Sequence, residues 1–299
     1  MSDTGPWTVR RLMEWTPGFL EKRGVDSPRL SAELLLAHVL NLSRIKLYTQ
    51  YERPLAPPEL DRFRDLVKRA GEDEPIAYLT GRAPFFNLEF EVTHDVLIPR
   101  PDTETIVENA LQLSRHESGF EAPRVLDLCT GSGCIACAVA FHLKTATVLA
   151  TDISEPAIAA ARRNVERLGL TERVQVEAGD LFAALARVVD ARPLDLIVAN
   201  PPYIASSKVP ALDKSVRSFE PLSALNGGPD GLALHRRIFA EGSSHLRVGG
   251  RMFLEIAFDQ GPGAMDVARS HPQYDEARIL KDQSGNDRVL AVRRVAGSG

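Results

Sequence analysis

Between residues 8 and 23 apolar side chains recur at helical spacing, at Val9, Leu12, Met13, Trp15, Phe19 and Leu20. That spacing predicts an amphipathic helix, which Pro17-Gly18 should kink or split. Ser27-Pro28 reads as an N-cap followed by a proline in the first helical position, opening a helix over 29–40. Pro57-Pro58 similarly opens a helix over 59–70. Leu34, Leu35 and Val39 form the buried side of this helical part. Near residue 84 the period changes. The stretch 85–93 alternates apolar and polar residues and predicts a half-exposed strand, with Val96-Leu97-Ile98 as its hairpin partner through His94-Asp95. Beyond it come short apolar runs that read as buried strands, at 125–128, 147–151, 174–177 and 194–199, and the first leads through a glycine loop into an Ala- and Val-rich helix. Residues 235–245 then read as a helix, 250–258 as a strand and 278–295 as a closing β-hairpin. The pattern divides the α/β chain into a helical domain at 1–83, a hairpin linker at 84–99 and a larger domain at 100–299.

Polar residues gather where the apolar runs end. The first run passes through Asp127 into Cys129-Thr130-Gly131-Ser132-Gly133. Its glycines allow positive φ and let a ligand approach the backbone. The loop loosely matches a dinucleotide fingerprint, a weak signal by itself. Asp127, just before the loop, is placed to meet a cationic amino acid tail and is badly placed for a pyrophosphate, which favours S-adenosylmethionine over NAD. Asp152 ends the next run, close to the roughly 20 residues over which nucleotide folds place a ribose-binding acid. Asp180 follows the third run, where it can accept from an adenine amino group while Leu181 and Phe182 cover the ring. Each acid alone reads as a cap or turn residue. Four polar residues in register at successive strand ends, with Asn200 as the fourth, read as a cofactor cleft.

Asn200-Pro201-Pro202-Tyr203 is the most informative tetrapeptide. The prolines fix φ and donate no N–H, so their carbonyls stay free to accept. Asn200 adds a side-chain carbonyl oxygen, and Tyr203 a flat face. Together they suit a planar NH₂ group held by two acceptors, which a glutamine side chain or an exocyclic base amine could supply.

These motifs resemble the protein-(glutamine-N5) methyltransferases of the PrmC/HemK type. The resemblance runs nearly end to end: Pro75-Ile76-Ala77-Tyr78-Leu79-Thr80-Gly81, Leu97-Ile98-Pro99-Arg100-Pro101-Asp102-Thr103-Glu104, Phe219-Glu220-Pro221, Gly228-Pro229-Asp230-Gly231 and Gly285-Asn286-Asp287-Arg288-Val289 all have family counterparts. It implies a Rossmann-like, seven-stranded class I methyltransferase domain with its last strand antiparallel, preceded by a small helical domain that contacts the protein substrate. The implied reaction moves a methyl from S-adenosylmethionine to the Gly-Gly-Gln glutamine of bacterial class I release factors. It assigns Asn200, Pro201, Pro202 and Tyr203 to catalysis. It assigns Asp127, Cys129, Thr130, Gly131, Ser132, Gly133, Asp152, Asp180, Leu181, Asn200 and Arg100 to the cofactor, with no metal. Cys129 departs from the family, which usually has glycine there, and a β-like backbone is expected at it. The loop from Cys129 to Ile135 also resembles a sister subfamily acting on a ribosomal protein glutamine. That activity and a nucleic-acid amine methyltransferase remain the alternatives, and a cofactor-sensing module is a third.

Composition narrows the field. A 299-residue chain that is 44% hydrophobic and 25% charged is ordinary for a globular protein of two domains. A net charge of −4 gives no drive toward nucleic acid or anionic membrane. No apolar run nears the roughly 18 residues that span a bilayer, and Met1-Ser2-Asp3-Thr4-Gly5 has no signal-peptide pattern. A cytoplasmic monomer is expected. Three cysteines, with Cys134 and Cys137 in C-x-x-C spacing on a packed helix, read as small buried hydrophobes rather than a disulfide or zinc site. The polar segment 204–225 reads as an irregular loop that closes over the substrate.

Overall fold

The computed structural model describes residues 5–187 and 192–296; Met1–Thr4 of the amino-terminal stretch read above lie outside them. Two compact units are present: Met1–Arg82 with Asp213–Phe219, and Ala83–Leu212 with Glu220–Gly299.

The first unit is helical. Its main helices span Val9–Glu21, Pro28–Leu40 and Pro57–Ala70, around a core that includes Leu20, Leu35, Leu36, Leu47 and Phe63. Thr8 caps the first helix by accepting from the Arg11 N–H. Contrary to expectation, Pro17 does not split it. A proline removes one i→i−4 bond, and buried Leu12 and Leu20 anchor the helix on both sides of the gap. Ser27 precedes the second helix with φ +47° and makes no side-chain cap.

The second unit begins with a hairpin whose pairing corrects the sequence expectation. Strand β1 (Arg82–Phe85) pairs with β2 (Leu88–Glu91). Phe86 and Asn87 between them have φ of +47° and +59°, the two-residue turn whose twist matches paired strands. The chain therefore doubles back at Phe86-Asn87, eight residues before the expected turn at His94-Asp95. Val96-Leu97-Ile98 form no strand.

The main sheet has seven strands: β3 (Arg124–Leu128), β4 (Thr147–Asp152), β5 (Val174–Ala178), β6 (Leu194–Ala199), β7 (Leu246–Glu255), β8 (Tyr274–Lys281) and β9 (Asp287–Arg294). Their order is β5-β4-β3-β6-β7-β9-β8. The first five are parallel, and β9 runs antiparallel between β7 and β8. Helices at 104–116, 134–142 and 155–167 cover one face over a core including Ile106, Val139 and Ile158; helices at 233–242 and 261–269 cover the other over Ile238, Phe239 and Ala264. Parallel strands buried on both faces explain why the sequence shows continuous apolar runs there. After β3 the chain moves outward through β4 and β5, then crosses back to β6 on the other side of β3. That reversal opens a crevice beyond the carboxyl ends of β3 and β6.

Candidate functional site

Strand register places the polar residues. Leu128 pairs with Thr151 on one side and Ala199 on the other. The next residues along each strand, Cys129, Asp152 and Asn200, therefore form one row at the carboxyl edge. A cleft lies over this row, at the place where open α/β sheets hold their ligands. Cys129, Thr130, Gly131, Ser132, Asp152, Asn200 and Pro202 all line it.

The loop after β3 turns at once. Cys129 adopts φ +57°, which overturns the expectation of a β-like backbone there. Two bonds impose the turn: the Thr130 N–H donates to the Thr151 carbonyl at 3.0 Å, and the Thr130 hydroxyl donates to Asp127 Oδ2 at 2.6 Å. Gly131, at φ +55°, has open space where a Cβ would project, and its N–H donates to Asp152 Oδ2 at 2.9 Å. The other Asp152 oxygen accepts from the Ser154 N–H at 2.9 Å. Each carboxylate oxygen keeps a lone pair for a ligand hydroxyl. Gly133, at φ +79°, packs against Ala161 as the next helix begins.

Asp127 has a different place from the one expected. It is fully buried and absent from the cleft wall. Its Oδ2 also accepts from the Ala136 N–H at 3.1 Å, while Oδ1 has no partner. Burial pushes its pKa up to about 7 against the pull of these donors. Asp127 thus braces the loop and the first turn of the following helix. Asp180 and Leu181 also lie off the cleft wall. Asp180 pairs with Arg237 at 2.9 Å, and Leu181 is buried. Arg100 is paired with buried Glu220.

In the tetrapeptide, Asn200 Nδ2 donates to the Thr103 hydroxyl at 3.1 Å. Its Oδ1 receives no hydrogen bond from the described residues and remains available at the cleft. Pro202 lines the cleft, whereas Pro201 and Tyr203 do not. Tyr203 instead donates its hydroxyl to Glu255 Oε1 at 3.1 Å, and its carbonyl accepts from Gln260 Nε2 at 2.8 Å. Two glycines let this turn sit down: a Cβ on Gly227 would collide with the Pro202 carbonyl, and one on Gly231 with the Tyr203 carbonyl. The sequence reading missed Thr103, Val96, Leu97 and Ile153 as cleft residues. Ile153 carried a usable signal, since an apolar residue just after a strand-end acid is 70% exposed here.

Segment 204–225 is more ordered than the expected irregular loop. Ile204 bridges to Asn226, short helices form at Lys214–Arg217 and Leu222–Leu225, and Asp213–Phe219 belongs to the helical unit. There Lys214 pairs with Asp73 at 3.0 Å. All three cysteines are free thiols, and burial pushes Cys134 up to about 12. Among the described residues no cluster of His, Cys, Asp and Glu could hold a metal, and no helix is long and apolar enough to cross a membrane.

Two family models match the chain: the PrmC N-terminal domain over residues 11–81 and the methyltransferase small domain over 108–215. A release factor glutamine methyltransferase of Rhodopirellula baltica is 40% identical over 98% of both chains. One of Geobacter sulfurreducens is 42% identical over 96% of this chain and 97% of its own. Among solved structures, the hMettl16 catalytic domain in complex with an MAT2A 3'UTR hairpin superposes with a TM-score of 0.56 at 17% identity, covering 80% of this chain and 82% of that one. The structural likeness is one of fold: a mostly parallel seven-stranded methyltransferase sheet.

Proposed function

The chain belongs to the release factor glutamine methyltransferases, and from that premise we propose that it methylates the side-chain nitrogen of the Gly-Gly-Gln glutamine in bacterial class I release factors. The observation that carries this reading is Asn200, whose NH₂ is spent on Thr103 while its carbonyl oxygen stays open at the cleft. S-adenosylmethionine, the methyl donor of this family, supplies a methyl already activated by a positive sulfur. The residues fit it: Asp152 offers two anchored oxygens to vicinal ribose hydroxyls, Gly131 leaves room for close approach, and Leu97 and Ile153 offer apolar cover for a flat base. Asp127 serves by shaping the loop. Asp180 would have to leave Arg237 to reach an adenine amine.

A glutamine amide nitrogen is a poor nucleophile because its lone pair is delocalised into the carbonyl. Asn200 Oδ1 would accept one of its N–H bonds, raise electron density on nitrogen and hold it in line; Pro201, whose carbonyl was expected as the second acceptor, does not line the cleft. Such fixed acceptors act by alignment and electrostatic placement. Once methylated, the nitrogen is acidic enough to lose its proton to water, so no strong base is needed. The helical unit is the part we assign to recognising the factor, in the cytoplasm where translation runs. In support, Trp7, Trp15 and Phe19 line a groove edged by Arg64 and Lys68, and Trp15 is 54% exposed. Trp15→Ala should raise KM for the intact factor and leave cofactor affinity alone; an unchanged KM would remove this groove from recognition.

The test of the activity is methyl transfer from labelled cofactor to a purified class I release factor, with a glutamine-bearing ribosomal protein in parallel and mass spectrometry to place the methyl. Modification of the Gly-Gly-Gln glutamine is expected. Asn200→Ala should lower kcat by about 10²–10³-fold, as loss of one aligned polar partner does in other active sites, without weakening cofactor binding. Methyl on the ribosomal protein alone, or near-normal turnover by Asn200→Ala, would overturn the reading.

A further inference from the structure

Two stretches far apart in the chain line the cleft together: Val96, Leu97 and Pro99 from one, Pro221, Ser223 and Ala224 from the other. An ion pair behind the wall joins them. Arg100 Nη2 donates to Glu220 Oε1, and neither residue lines the cleft itself. The two ends of this bridge are held very differently. Arg100 stands on a fixed post. Val96 and Pro99 before it are buried, and Pro99 and Pro101 on either side have φ set by their rings. The Arg100 carbonyl accepts from the Thr103 N–H at 3.2 Å, and the Thr103 hydroxyl in turn accepts from Asn200 at 3.1 Å.

Residues 220–226 form a strap instead. Glu220 is where the chain returns to the sheet unit after 213–219. At the far end the Ile204 N–H donates to the Leu225 carbonyl at 3.0 Å, and the Gly227 N–H donates to the Ile204 carbonyl at 2.8 Å. Little anchors the strap between these two pins. Of residues 221–226 Leu225 alone is buried, and Leu222 is 58% exposed. A segment with so few buried apolar contacts opens locally at small cost. We propose that Arg100 and Glu220 are positioning residues that form a releasable clasp: closed, their ion pair holds the strap against the cleft and retains S-adenosylmethionine; open, it lets the cofactor exchange. The proposal rests on the reading of this cleft as the methyl-donor site.

The geometry of the pair suits release. A bidentate fork would engage both carboxylate oxygens, but here Glu220 Oε2 has no hydrogen-bond partner. The Glu220 side chain is 1% exposed and that of Arg100 is 34% exposed. Water therefore already reaches the guanidinium, and an outward swing of the strap carries the acid into water as well. Opening strands neither charge in the interior, which is the costly way to break a buried pair. The clasp also gives Arg100 a role other than the cofactor contact expected from the sequence, and the two roles have opposite consequences. Were Arg100 a cofactor ligand, Glu220 would compete for it, and neutralising Glu220 would tighten binding. As half of a clasp, it loses its hold on the strap when Glu220 is neutralised, and binding weakens.

The experiment compares the native chain with Glu220→Gln, Arg100→Gln, the double variant and Arg100→Lys. Calorimetry and stopped-flow follow the affinity and dissociation of S-adenosylmethionine, and hydrogen exchange without cofactor follows the strap. Each Gln variant should raise Kd about tenfold, the scale of a lost charged hydrogen bond, mainly through faster dissociation. The double variant should bind no worse than either single one, because both remove the same bond. Arg100→Lys should keep most of the affinity, since an ammonium can make a single contact where it could not make a fork. The amides of Ala224 and Asn226 should exchange at least about tenfold faster in the Gln variants, a local opening that leaves β3 and β6 at native rates. Native or tighter binding by Glu220→Gln would overturn the clasp, as would additive losses in the double variant or native exchange in the strap. Should Arg100→Gln fail to fold with its acid left buried, Glu220→Gln decides by the sign of its effect. A native chain that binds no S-adenosylmethionine would instead sink the parent reading, and the exchange comparison would still decide whether the pair pins the strap.

Discussion

At Cys129 the chain takes a left-handed backbone that a residue with a Cβ adopts at a cost of roughly 1–2 kcal/mol. Nothing local demands it. The demand comes from Thr130 and Gly131, whose bonds to Thr151 and Asp152 turn the chain immediately after β3. Cys129→Gly should therefore raise the melting temperature by a few degrees, since glycine enters this region freely, and leave cofactor affinity unchanged. Cys129→Val, branched at Cβ, should do the reverse and weaken cofactor binding; thermal melts and a cofactor titration check both. The same stretch shows how far residue types could be read. Asp127 and Asp152 looked alike as strand-end acids, but Asp127 pairs with Ala150 and Val198, two rows inside the edge row of Cys129, Asp152 and Asn200, and only Asp152 reaches the cleft. Residue identity was legible, and the register that separates their roles was not.

At the scale of elements, the carboxyl edge of the sheet was readable because each strand is a short apolar run ending in a polar residue. The hairpin was misread because alternation names a strand without naming its partner, and the turn at Phe86-Asn87 lacks the glycine that usually marks one. Thr103 and Glu255 were silent for a stronger reason. Each sits far along the chain from Asn200, and hydrogen bonds at that separation leave no local pattern. The turn of Pro202 and Tyr203 depends equally on distant glycines. Gly231 combines φ +80° with a collision between any Cβ and the Tyr203 carbonyl, so Gly231→Ala should cost more than about 2 kcal/mol in stability. It should also reduce turnover more than cofactor affinity, because the displaced turn carries Asn200. Urea denaturation alongside steady-state kinetics would test this, and native values for both would refute the cradle.

For the whole molecule, buried acids tie stability to pH. Asp127 ordinarily titrates near 3.8 and is pushed up to about 7 by burial when folded. Between those values the folded chain holds a proton that the unfolded chain has released, so this group's contribution to stability falls as pH rises through the window. Asp127→Asn removes that slope. The variant's stability relative to the native chain should therefore improve from pH 4.5 to pH 8, about 1.4 kcal/mol for each pH unit crossed at the upper limit. A difference that stays constant with pH would refute the assignment. The division into units has another consequence. Residues 213–219 pack with the helical unit although the chain on either side of them belongs to the sheet unit, so the backbone passes between the two units three times. The two are spliced, not strung. A chimaera made by exchanging residues 1–82 with those of a relative through a single crossover would inherit the recipient's own 213–219, and its Asp73 position would face a Lys214 position from a different lineage. Grafts that carry both segments together are the ones expected to fold as the parent does.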